Sequence, residues 1–383
     1  MRFVVVAALL VLAVVVNNRG SYAQVAAPPT AALDVQVPTA PIPVKVGGRW
    51  QLAYELHITN YRAADVVLER VDLTDVDHPG RPLASYDGEA LITRLARAGA
   101  RPDRSDKRTL APGTHLIVFL WLDIPDATPL PHTIRHRLSY RVAAQGELAV
   151  VEAATVSVRG ESPVVLAAPL RDGPWTALYD PSSIGGHRRA LFAIDGRARI
   201  PSRFAIDWVK LGDDGRGFHG DKSVLSNYYG YGAEVLAVAD GVVASAVDRF
   251  AEPTVPITLF NEAGNYVAID IGGGQFAFFE HLQPTSVRVR VGDRVHAGDV
   301  LARVGASGSV FSGPHLHFHV SDANSPLGAE GLPFVFKSFE VLGSFESMDA
   351  FARESGWTAK RGLTGTRRLE MPSAQSVLRF PRE

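Results

Sequence analysis

The chain contains no cysteine and only 3 methionines in 383 residues. The missing thiols exclude a disulfide framework, a lipid-modified cysteine anchor and every thiolate metal site, so any metal must be held by His, Asp or Glu. A surplus of charge is missing too. Against 39 Lys and Arg stand 40 Asp and Glu, a net −1, and no global field draws the protein to nucleic acid. Long apolar runs are confined to the first residues, and no later segment is apolar enough to span a membrane.

What is present favours strands and turns over helix bundles: 35 Gly, 25 Pro and abundant Val. At the start, Arg2 and the apolar run Phe3–Val16 read as an export signal, and the small residues of Ser21-Tyr22-Ala23 predict cleavage after Ala23. The mature protein is then exported, periplasmic or secreted, without a transmembrane anchor. Residues 24–44, rich in Ala and Pro, read as a spacer. From Trp50 a period-2 alternation begins, with Leu52, Tyr54, Leu56 and Ile58 on one face. Further strands at THLIVFLWLDI, HRLSYRVAAQ and LAVVEAATVSVRG predict an immunoglobulin-like β-sandwich over 45–160. Its histidines (His57, His78, His115, His132, His136) are scattered and read as surface residues.

A connector, 161–175, leads to a second domain, 176–343, that carries the other histidines. YVAIDIGGGQFAFFEHL reads as a hairpin turning at Gly272–Gly274, and Gly292, Gly298, Gly305 and Gly308 punctuate a compact barrel-like sheet. Residues 344–383 read as a peripheral extension. The fold class is therefore mainly β: a sandwich followed by a compact antiparallel β-domain.

Chemistry concentrates in GPHLHFHV, 313–320. Alternate strand residues share a face, so His315, His317 and His319 stand together while Leu316, Phe318 and Val320 face a core. Stacked imidazoles either bind a metal or lie on a solvated face. Asp207 is the one acid in the apolar strand FAIDWV, either a metal ligand or an ion-pair partner of Arg203. His281 closes the aromatic strand FAFFEHL.

GASGSVFSGPHLHFHV resembles the C-terminal signature of the lysostaphin-like, or LytM-type, zinc metallopeptidases that cut peptidoglycan. FAIDWV, YGYGAEVLAVADGVVASAV, FAFFEHL and VRVGDRVHAGDVLARVGASG resemble that family's other motifs in the same order, over about residues 200–322. The resemblance implies a LytM-type domain binding one zinc ion through Asp207 and His317. It also implies His315 and His281 as catalytic histidines, and peptidoglycan stem or cross-bridge peptides as partners. The family's first ligand, a His four residues before the Asp, is here Arg203, which has no lone pair to offer a metal. Candidates for the missing ligand are His187 first, brought close to Arg203 by a hairpin at Asp195-Gly196, then His219, then His319. The alternative is a catalytically degenerate lysostaphin-like module, with Arg203 in the metal's place, that binds the cell wall or activates a wall amidase.

Overall fold

The computed structural model describes residues 33–381, apart from 98–106, 143–145, 147, 184–185, 255–256, 259–260, 311–312 and 360–363. The expected signal segment and residues 24–32 lie outside the described residues. The protein is mainly β, and its sheets are predominantly antiparallel.

Two five-stranded sheets build the N-terminal half. One contains Leu33–Gln36, Val44–Val46, Arg49–Asn60, His115–Pro125 and Leu95–Ala96. The other contains Leu148–Ser157, Thr133–Val142, Val66–Asp75, Pro82–Asp87 and Thr109–Leu110. As the alternation foretold, Leu52, Tyr54, Leu56 and Ile58 are fully buried in the core the two sheets share. Two expectations fail here. The spacer ends early, because Leu33–Gln36 pairs with His57–Asn60 and buries Leu33. His136 is no surface residue: it shares the phase of Ile134, Leu138 and Tyr140 and so faces the core. Its Nε2 lies 2.8 Å from the Tyr54 hydroxyl and its Nδ1 2.7 Å from the Ala154 carbonyl oxygen, and burial pulls its pKa down to about 4.

The second half is organised by one sheet of eleven strands among the described residues. Its middle runs Asn265–Asp270, Phe276–Leu282, Leu316–Ser321, Ile206–Lys210, Trp175–Leu178, Ser376–Arg379 and Phe339–Ser344, each antiparallel to the next. Residues 344–383 are thus not peripheral. Ser376–Arg379 lies inside the sheet, and Met371 and Phe380 are buried in its core. Apolar phase explains the insertion: Val377 and Leu378 are both fully buried.

Val44, Val46 and Ala53 from the N-terminal half belong to the same core as Trp208, Phe318 and Phe336. Trp121 packs on Phe204, ring centres 6.3 Å apart. The two halves are joined through buried apolar surface, the strongest non-directional attraction available.

Candidate metal centre

Three neighbouring strands supply the site. His317, on Leu316–Ser321, has Asp207 directly opposite on one side and Glu280 directly opposite on the other. Residues directly opposite in adjacent strands project to the same face, so one row presents carboxylate, imidazole, carboxylate. The strand is buried on both faces, with Leu316, Phe318 and Val320 in the core as the alternation required.

His281 follows Glu280 and would point to the opposite face of a regular strand. A bulge prevents this. Val267 pairs with Phe279 and Asn265 with Leu282, so Tyr266 alone faces both Glu280 and His281. His281 takes φ +63°, and its N–H donates to the Ala263 carbonyl at 3.1 Å. Both side chains thereby line the same cleft. The bulge rests on Gly264 and Gly308, both at positive φ: a Cβ on Gly308 would stand 2.5 Å from the Gly264 nitrogen.

Asp207 is the hub. His187 Nε2 lies 3.2 Å from its Oδ2, His317 Nδ1 2.9 Å from its Oδ1, and His315 Nε2 3.4 Å from Oδ1. The ring of His281 stands 4.9 Å from that of His315. Backbone carbonyls orient three of these rings. His315 Nδ1–H donates to Gly313 and His281 Nδ1–H to Ser307, both at 2.8 Å, tautomers assigned from these partners. His187 is hydrogen-bonded to the backbone of Ala205.

Electrostatics separates the groups. Burial works against ionised Asp207, but His187 and His315 hold its carboxyl well below the usual range. Burial lowers the His187 and His315 pKa values and Asp207 more than restores them, so both end raised. Burial, reinforced by His315 and His317, keeps His281 neutral. Glu280 is pushed up to about 8 by burial, then by Glu262 and Asp207.

Of the sequence candidates, the structure brings Asp207, His187, His281, His315 and His317 together. His187, Asp207 and His317 offer ligand atoms within 4.8 Å of one another. Two imidazoles and a carboxylate are donors that zinc accepts. The hairpin at Asp195-Gly196 forms, pairing Phe192–Ile194 with Arg197–Arg199, but it carries His187 to Asp207 rather than to Arg203. His219 is exposed on its loop, against Tyr229, and outside the cluster. His319 stands behind His317, Nδ1 3.2 Å from its Nε2, stacked on Phe278 at 4.8 Å. Glu280 Oε1 and His319 Nε2 are buried without a hydrogen-bond partner.

The ion pair between Arg203 and Asp207, the alternative to metal ligation, does not form. Arg203 lies in a turn before the strand Ile206–Lys210 and shares no face with Asp207. Its guanidinium donates to Glu55 and Glu330. Glu55, Glu280 and Glu330 were not singled out in the sequence. Glu55 sits on the polar phase of its strand, where an acid ordinarily meets solvent, and only the covering half buries it.

The cleft over these side chains has a volume of about 560 Å³. Its walls include Phe218, Lys222 and Tyr228 on one loop, and Phe351 and Glu354 from the C-terminal segment.

Residues 227–328 match the model of Peptidase family M23. No curated protein matches the chain. Among solved structures, it is similar to a catalytic-domain variant of the prophage-encoded M23 protein EnpA from Enterococcus faecalis. That match has 18% identity, covers 46% of this chain and 92% of the other, and has a TM-score of 0.23. The catalytic domain of the antimicrobial peptidase lysostaphin from Staphylococcus simulans matches at 19% identity over 42% of this chain and 88% of its own, TM-score 0.23.

Proposed function

We propose that the protein, whose residues 227–328 match the model of Peptidase family M23, is an exported zinc metallo-endopeptidase hydrolysing peptide cross-links of peptidoglycan. His187, Asp207 and His317 would hold one ion, with His187 taking the role that Arg203 cannot. Zinc bound there would act as a Lewis acid on the scissile carbonyl and supply a nucleophilic water near neutral pH.

The chain's own share is proton handling. Because Ser307 and Gly313 take the Nδ1 protons of His281 and His315, Nε2 is the nitrogen through which each ring exchanges protons; that of His315 faces Asp207 at 3.4 Å. Nε2 of His315 accepts the proton of the attacking water. His315, then cationic, is a donor for the departing amine.

One observation carries this reading: the two oxygens of Asp207 are flanked by imidazoles from different parts of the chain, His187 on one and His317 on the other. The alternative that puts Arg203 in the metal's place is disfavoured, because its guanidinium is committed to Glu55 and Glu330. The test is metal analysis of the purified protein with digestion of muropeptides followed by mass spectrometry. One zinc per chain and cleaved cross-links are expected. A protein that takes up no zinc from excess, and leaves muropeptides intact, overturns it.

A further inference from the structure

His187 rides on a three-residue turn, His187–Arg189, whose own hydrogen bonds are two backbone contacts at its ends. That is a weak platform for a ligand. The anchoring comes from elsewhere. Arg188, 2% exposed, donates to the Glu55 carboxylate and to the backbone carbonyls of Tyr54 at 3.1 Å and Leu120 at 2.7 Å. Its guanidinium lies 5.3 Å from the Trp121 ring centre. Arg189 donates to the Thr93 carbonyl at 2.6 Å and lies over Phe119 at 5.1 Å. Every one of these partners belongs to the N-terminal sandwich.

Glu55 also accepts from Arg203, which is held on its other side by Glu330. Two residues beyond Arg203 stands Ala205, whose backbone orients the His187 ring. One carboxylate therefore grips both the turn that carries His187 and the segment that aims it. Two guanidinium and two carboxylate groups balance in charge, as burial of ions demands.

We propose that Glu55 is a positioning residue for the metal centre: the N-terminal sandwich sets the place of His187 through Glu55, Arg188 and Arg203. This rests on the reading of His187 as a zinc ligand. The residue standing where the family's ligand is expected has become part of the anchor for its substitute, so the sandwich is a component of the site and not an appendage.

The test compares the full chain with its Glu55→Gln variant, reading zinc affinity by chelator competition and the visible spectrum of the cobalt-substituted proteins. Glu55→Gln is expected to weaken zinc binding 10- to 100-fold, the range for outer partners of metal ligands, and to alter the cobalt spectrum. Adding Glu55→Gln to His187→Ala should cost little more than His187→Ala alone, a non-additivity that general loosening would not give. If Glu55→Gln fails to melt cooperatively, Arg188→Met opens the same anchor from the other side and should weaken zinc binding likewise. Wild-type zinc affinity and cobalt spectrum in whichever variant folds would overturn the proposal while leaving the zinc site intact. A wild-type chain that takes up no zinc would remove the metal-centre reading and this proposal with it.

Discussion

Asp207 meets imidazoles on both of its oxygens, and two of them, His317 and His315, make distinct predictions. His317→Ala removes the ligand in the centre of the row, and zinc is expected to fall from stoichiometric to undetectable in metal analysis. His315→Ala should retain zinc yet lose turnover by about 10²–10⁴-fold, the usual worth of a positioned acid–base group, read as kcat on muropeptides. Equal zinc loss in the two variants would reverse the roles given to these two histidines. At this scale much was legible. A half-buried acid in an apolar strand and histidines on alternate positions are conspicuous because each is costly without a partner. Glu280 and Glu55 were not legible. The first meets His317 only through the pairing of strands distant in the chain, and the second is buried by a distant segment; neither event leaves a mark in local periodicity.

Among the elements, the hairpin Asn265–Asp270 with Phe276–Leu282 was readable from its triple-glycine turn, and Gly272–Gly274 all take positive φ. The bulge at its far end was not. It depends on Asn265, fully buried, whose side-chain oxygen accepts from the N–H groups of Arg249 and Phe250 at 2.8 Å each. Its amide donates to the carbonyls of Phe250 and Leu282. Asn265→Ala leaves these buried groups unpaired and is expected to cost about 1–3 kcal/mol, measured by urea denaturation, with a lower kcat because His281 loses its support. Unchanged stability would mean that the bulge holds without this residue.

For the molecule as a whole, the order of the two halves could be read along the chain, but their union could not. Ala53, Trp121 and Phe204 meet only when both are folded. The buried charges at this seam give a pH prediction. Burial pushes the Glu55 carboxyl up, but Arg203 and Arg188 outweigh it and pull it down to about 2 from its ordinary 4.5. A lowered carboxyl stabilises the fold above pH 4.5, and this contribution, on the order of 3 kcal/mol, is lost as pH falls towards 2. Thermal melts should therefore show a steep loss over that window in the wild type and a shallower one in Glu55→Gln. A chain cut to residues 161–383 would bare Arg188, Arg203 and the apolar seam, and is expected to aggregate or fail to melt cooperatively in calorimetry.

The strand Trp175–Leu178 takes Ile206–Lys210 as one neighbour and Ser376–Arg379, some two hundred positions downstream, as the other. Closing so wide a loop forfeits chain entropy before any contact repays it. Refolding from denaturant should accordingly be sluggish, on the scale of seconds rather than microseconds, and until that last ribbon docks, Trp175–Leu178 offers a bare edge on which partly folded copies can stick to one another.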